Sequence, residues 1–225
     1  MTDKIDVWRI RPLRRTGDVA TLRAILPAEE IVRVERGSDP VRQQAAITSR
    51  AVLRLLLAHY THIPANELRL LAGKNGKPYL DTDQNPHGIT FNFSDSGDMA
   101  VVAVTWKREI GVDVEQVREI ERALEIASRH FSPESTEELR KASDNDRSRM
   151  FLQNWARHEA LLKAKAGTIW KPNGEKPSLT FPDTTSYVKT GVNFTVRDLD
   201  TGHDYVGALA AQGDGWTVEV KDYGA

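Results

Sequence analysis

Two long helical stretches, each giving way to a run of short strands, constrain the fold of this chain more than any other feature. In the first block Ser38 and Asp39 offer an N-cap and Pro40 suits the opening turn, while Ala46, Val52, Leu53, Leu56 and Leu57 recur at helical spacing as far as Tyr60. Strands are predicted after it over 68–72, 89–93, 99–106 and 110–117, punctuated by turn residues at Lys74-Asn75-Gly76-Lys77, Gly97-Asp98 and Lys107-Arg108. The second block opens with helices over 121–130, over 134–142 behind Ser132 and Pro133, and from near Asp144 to about Ala166. Strands over 178–181, 192–199, 205–211 and 216–220 follow it. A strand over 5–13 and a helical stretch over 18–36, divided at Pro27, precede both blocks. This order predicts an α+β fold of two similar halves, 1–106 and 107–225, with the junction near 105–109.

At 225 residues there is enough chain for a sizeable core, and 40% hydrophobic with 28% charged residues is ordinary for a folded soluble domain. There is no cysteine, which removes disulfides, thiolate metal sites and cysteine nucleophiles and suits a cytoplasmic location. The apolar run Ala51–Ala58 is broken by arginine and falls far short of the roughly 20 residues that span a bilayer. The amino-terminal residues lack the apolar stretch of a signal peptide. A net charge of −1 without a basic tail gives no footing for nucleic acid, so neither a membrane nor a nucleic-acid partner is expected.

Four segments carry candidate chemistry. In Gly111-Val112-Asp113-Val114-Glu115, strand alternation sends Asp113 and Glu115 to one face. Two such carboxylates repel unless a cation lies between them, and all-oxygen ligation suits a hard ion such as Mg²⁺. The plainer alternative is a solvated strand face with the valines turned inward. On the helix predicted beyond Asp144, Phe151, Trp155, Glu159, Leu162 and Lys163 share one stripe. An acid interrupting an apolar face is either half of an ordinary Glu159–Lys163 surface pair, or a third metal ligand or general base. Gly76-Lys77-Pro78 joins close backbone approach, a point charge and a fixed exit, and by itself is a hairpin turn. Phe91-Asn92-Phe93-Ser94-Asp95-Ser96-Gly97 reads as a strand running into a small polar turn that can offer donors to an anion.

The succession GKPYL, FNFSDSG, GVDVE and WARHEALLKA resembles the Sfp-type 4′-phosphopantetheinyl transferases, whose pattern runs approximately GKP, FNxSHS, GxDxE and WxxKEAxxK. Arg33 and Arg36, with Arg50 and Arg54 in the SRAVLR stretch, are similar to the family's amino-terminal segment. The resemblance implies a pseudo-twofold α+β fold with coenzyme A, the co-substrate, in the cleft between halves. It implies that Asp113, Glu115 and Glu159 hold Mg²⁺, with Mn²⁺ as the alternative ion, and that Lys163 contacts phosphate at the reacting bond. It further implies that Gly76, Lys77 and Pro78 lie along the adenine, and that Ser94, Asp95 and arginines such as Arg33, Arg42 and Arg50 surround the 3′-phosphate. The implied reaction is attack by a serine of an acyl or peptidyl carrier protein, with Glu159 as base and Lys163 assisting departure of 3′,5′-ADP from a monomeric enzyme.

This sequence departs from the pattern at three places. Asp95 replaces a histidine that contacts the 3′-phosphate, His158 replaces the lysine of KEA, and the glycine after the last motif falls at Gly167, one position late. A non-catalytic coenzyme A or carrier-binding homologue, and a different Mg²⁺-dependent phosphoryl-transfer enzyme, are the alternative expectations.

Overall fold

The computed structural model describes residues 3–14, 19–73, 76–165, 184–189 (backbone only) and 192–224. β1 (Lys4–Ile10) stops short of Pro12, which lacks a ladder N–H and opens a 3-10 turn over Pro12–Arg14. The divided helical stretch is observed as α1 (Val19–Arg23) and α2 (Ala28–Val34), with extended Pro27 as the N-cap of the second. The first long helix is α3 (Pro40–Thr61), whose Asp39 carboxylate accepts from the Val41 and Arg42 amides and which ends on left-handed His62.

Next come the hairpin strands β2 (Leu70–Ala72) and β3 (Pro78–Leu80), followed by β4 (Ile89–Ser96), β5 (Met99–Trp106) and β6 (Ile110–Gln116). The strand expected over 68–72 starts two residues late. The buried Arg54 guanidinium of α3 takes the Leu68 and Ala65 carbonyls at 3.0 Å each, so that backbone is committed elsewhere. α4 (Ala123–His130), α5 (Pro133–Lys141, capped by Ser132) and α6 (Asp144–Lys165) lead to β7 (Thr184–Lys189), β8 (Val192–Leu199), β9 (Tyr205–Gln212) and β10 (Thr217–Asp222). β7 was not foreseen, and the strand expected over 178–181, like Asp18, Lys74, Asn75, Ala166 and Gly167, lies outside the described residues.

Two four-stranded sheets form, in the orders β10-β1-β5-β4 and β6-β9-β8-β7. The last strand returns to the first sheet and runs parallel to β1, from Lys4 opposite Thr217 to Arg9 opposite Asp222. Alternation along the strands builds four layers. Ala100, Val102 and Val104 of β5 face Val52, Leu53, Leu56 and Leu57 of α3. The intervening Met99, Val101 and Ala103 face the second sheet, meeting Ile110, Val112 and Val114 of β6 and Leu209 and Ala211 of β9. Across that sheet Ala208 and Ala210 receive Ala156, Ala160 and Ala164 of α6, whose methyl side chains let helix and sheet approach closely. The fold is thus α+β in two halves, helix on sheet against sheet under helix, and the two long helices have 22 residues each. Among the described residues no helix is long and apolar enough to cross a membrane.

Candidate active site

β6 turns Ile110, Val112 and Val114 into the core between the sheets. Its alternate residues, Gly111, Asp113 and Glu115, therefore share the face toward α6. A Cβ on Gly111 would lie 2.1 Å from the Ala160 carbonyl oxygen and 2.4 Å from the Ala164 nitrogen. Glycine there lets α6 press against the strand, and the helix turn it meets is the one that carries Glu159 and Lys163. The expected stripe divides its work along the helix. Phe151 and Trp155 stack at 6.0 Å and pack with Phe131, whereas Glu159 and Lys163 reach the acids of β6.

Lys163 forms no ordinary pair along its own helix. Its Nζ donates to Asp113 Oδ1 at 2.7 Å, Ser94 Oγ at 3.0 Å and the Val112 carbonyl at 3.2 Å. Ser94 in turn donates to Asp113 Oδ1 at 2.8 Å. The other oxygen, Oδ2, is buried without a hydrogen-bond partner. Burial pushes the Asp113 carboxyl above its usual range, opposed by Lys163 and Ser94, and Glu115 adds to the rise. Glu115 Oε2 accepts from Ser96 at 3.1 Å and from Arg118 at 3.0 Å. Glu159 is raised by burial and then by the Asp113 charge, with Lys163 opposing. The three carboxylates therefore share one electrostatic neighbourhood, although among the described residues no three acidic or imidazole groups stand as a ready-made metal cage.

The segment expected to end in a polar turn does not turn there. β4 runs on through Ser96, and Gly97-Asp98 alone joins it to β5, with Ser96 opposite Met99 and Gly97 at φ +58°. The strand persists because its even-numbered side chains find partners on β6. Alternation consequently separates Ser94, turned to Asp113, from Asp95, whose carboxyl is pushed up by its protein surroundings and pulled down by Arg50 and Lys163. Arg50 of α3 is thus within electrostatic reach of Asp95, but Arg33 and Arg42 are not assembled with it. Arg33 is exposed on α2, and Arg42, paired with Asp39 and 89% exposed, sits about 12 Å along α3 from Arg50. Gly76 has a positive φ of 77° in the β2–β3 turn, and Pro78 opens β3. Lys77 donates to the Ile110 carbonyl at 2.7 Å beside Glu109, and burial lowers its ammonium below the usual lysine range. His158 is buried on α6 beside Trp155 and His130; burial first, then the His130 and Lys165 charges, bring it down to about 4.

Asn92 and Ser96 lay in a segment singled out from the sequence but were given no role of their own, and Arg118 was not expected as a partner of Glu115. The available signal was Thr90-Asn92-Ser94-Ser96, a period-two polar row on a strand whose other face reads Ile89-Phe91-Phe93.

Comparison with known proteins supplies the deciding observation. The model of the 4′-phosphopantetheinyl transferase superfamily matches residues 109–212, and that of the 4′-phosphopantetheinyl transferase N-terminal segment matches 12–107. The chain belongs to the 4′-phosphopantetheinyl transferase superfamily. The 4′-phosphopantetheinyl transferase HetI of Nostoc sp. is 29% identical over 99% of this chain and 94% of its own length. The human L-aminoadipate-semialdehyde dehydrogenase-phosphopantetheinyl transferase is 32% identical over 64% of this chain, a match that spans 48% of the human protein. AcpT of Salmonella typhimurium, also named a 4′-phosphopantetheinyl transferase, is 28% identical over 69% of this chain and 74% of its own length. The boundary between the two matched segments falls in the turn between β5 and β6, where the second sheet begins.

For a member of this superfamily the donor set on β6 and α6 suits a hard divalent ion. Every candidate donor is a carboxylate oxygen, and Asp113 already presents one buried oxygen that no protein group satisfies. The basic residues of the neighbouring segment carry surface ion pairs. Arg118 is held by Glu115, Arg122 and Arg129 by Glu125, and Arg140 and Lys141 by Glu137.

Proposed function

We propose that this protein moves the 4′-phosphopantetheine arm of coenzyme A onto a serine of an acyl or peptidyl carrier protein, as an Sfp-type enzyme, at the junction of β6 and α6. The observation that carries the reading is Asp113: a buried carboxylate with one oxygen fixed by Lys163 and Ser94 and the other unpartnered, with Glu115 and Glu159 close enough to perturb it. Asp113, Glu115 and Glu159 would hold Mg²⁺ or Mn²⁺. The ion supplies, when bound, positive charge against the pyrophosphate of coenzyme A.

In the reaction the serine oxygen forms a bond to the β-phosphorus while the bond from that phosphorus to the bridging oxygen breaks, and 3′,5′-ADP leaves. Glu159 takes the serine proton. Its carboxyl, raised by burial and by the Asp113 charge, is a stronger base than a free glutamate. Lys163, anchored between Ser94 and Asp113, places a fixed ammonium where charge develops on the leaving oxygen. Gly76, Lys77 and Pro78 would border the adenine, with Lys77 tying their hairpin to the start of β6. Arg50 and Asp95 would lie toward the 3′-phosphate. The two units meet between β5 and β6, and in this reading the protein works as a cytoplasmic monomer.

Intact-mass analysis of an apo-carrier protein incubated with the protein, coenzyme A and Mg²⁺ tests the proposal. The expected outcome is a gain of about 340 Da on the carrier that EDTA abolishes. No gain with apo-carriers of fatty-acid, polyketide and nonribosomal-peptide synthesis would overturn it.

A further inference from the structure

The second sheet ends in β6, and the free edge of an end strand presents backbone groups that need partners. Side chains supply them. The Ile110 carbonyl takes Lys77, the Val112 amide donates to Asn92 Oδ1 at 2.8 Å, the Val112 carbonyl takes Lys163, and the Gln116 amide donates to Ser96 Oγ at 3.0 Å. Thr90 belongs to the same row and donates to the Arg108 carbonyl at 2.6 Å. Thus every second residue of β4 from Thr90 to Ser96 reaches across to β6 or the turn before it, and the row ends on the two acids.

The hydroxyl inventory limits what Ser94 can do. It has one proton, which it gives to Asp113 Oδ1, and a lone pair, which receives Lys163. Donating to an anionic ligand would require it to release Asp113. Ser96 is likewise committed, donating to Glu115 Oε2 while accepting from the Gln116 amide.

We propose that Ser94 and Ser96 are positioning residues for the divalent-cation site, each hydroxyl fixing one β6 carboxylate, and that Ser94 leaves Asp113 Oδ2 as the oxygen presented to the ion. The inference rests on the reading of Asp113, Glu115 and Glu159 given above. It assigns Ser94 to the cation rather than to the 3′-phosphate of the donor, and the two roles separate experimentally.

The test uses full-length protein with Ser94→Ala, Ser96→Ala and the hydroxyl-retaining Ser94→Thr. Mn²⁺ binding is read from the paramagnetic resonance signal of the free ion, without turnover. Binding of coenzyme A and of 3′-dephospho-coenzyme A is read by calorimetry in EDTA. Ser94→Ala and Ser96→Ala are each expected to weaken Mn²⁺ binding by about 10- to 100-fold, as loss of a partner behind a metal ligand does, and Ser94→Thr to restore most of it. The ratio of the two coenzyme affinities should not change. Unchanged Mn²⁺ binding in both alanine variants, or a preference for coenzyme A lost in Ser94→Ala, overturns the inference while leaving the transferase reading intact. Failure of the unmodified protein to bind Mn²⁺ overturns the cation site itself. Because Ser94 is buried and Ser96 only partly so, Ser96→Ala keeps the test decisive if the first variant does not fold.

Discussion

Gly111→Ala is the smallest change expected to disable this enzyme. The added carbon would sit 2.1 Å from the Ala160 oxygen, 2.4 Å from the Ala164 nitrogen and 3.0 Å from the Lys163 carbonyl carbon, and all three are backbone atoms that no rotamer change can move aside. Ordinary contact distance is about 3.5 Å, so α6 must withdraw by roughly 1 Å or β6 must buckle. Overpacking of this kind costs about 1–3 kcal/mol, and because every obstacle is backbone of α6 that cannot rotate away this case falls near 3. The same displacement pulls Lys163 and Glu159 away from Asp113, and a shift of about 1 Å in a catalytic group is worth roughly 100-fold in rate. Urea denaturation followed by tryptophan fluorescence reads the first effect, and initial-rate formation of modified carrier reads the second. Gly215→Ala, where nothing lies within 4 Å of the built carbon, is the control expected to change neither. If Gly111→Ala stayed within about 0.5 kcal/mol and twofold of the parent, the close approach of strand and helix would not be what assembles the site.

Asp113→Ala and Glu159→Gln should each lose about 100-fold or more in turnover with the fold retained; near-normal rates in both would sink the assignment of these carboxylates. Glu159→Gln should also raise the melting temperature at pH 7. A carboxyl raised on folding binds its proton more tightly in the native state, so keeping it ionised at neutral pH costs stability that the amide does not, and an unchanged or lowered value contradicts this. His158 works in the opposite direction. Its folded value of about 4 against 6.5 means that the unfolded chain binds the extra proton, so stability is full above pH 6.5 and falls by roughly 3 kcal/mol toward pH 4. His158→Leu should flatten that slope in urea titrations at several pH values, and an identical slope would refute it. Asp95→His removes a carboxylate within electrostatic reach of Arg50 and Lys163 and should lower KM for coenzyme A roughly tenfold; a raised KM would show that Asp95 supports donor binding as it stands.

The site was legible where chemistry and periodicity coincide in one short segment. Gly111-Val112-Asp113-Val114-Glu115 could be oriented from alternation alone, because β6 is buried on its valine face and carries its acids on the other. Helix starts at Asp39, Pro40, Ser132 and Pro133 were equally local, since a cap is satisfied by its own next turn. The relations that assemble the site are not local. That Lys163 serves Asp113 rather than Glu159, and that Ser94 turns toward β6 while Asp95 comes under the charge of Arg50, depends on which strand edge each side chain meets. The misplaced turn at Ser94–Ser96 has the same origin. Small polar residues read as a loop when their partners are unknown, and continue a strand when a neighbouring edge needs donors and acceptors.

The parallel pairing of β10 with β1 was invisible for a related reason. The charges that join them, Lys4 to Glu219, Arg9 to Asp222 and Lys221 to Asp6, can be matched only once the strands lie side by side, and Trp216 just before β10 is buried in the core between the sheets with Arg197 stacked on it at 4.0 Å. That placement makes the carboxyl-terminal strand part of the amino-terminal sheet, so the chain closes across the junction of the halves as well as crossing it between β5 and β6. Two covalent crossings and the polar row from β4 to β6 then hold the sheets in one register. Such rigidity is what the proposed site needs, with two carboxylates on β6, the proposed base and ammonium on α6, and on β4 the hydroxyls proposed to aim them.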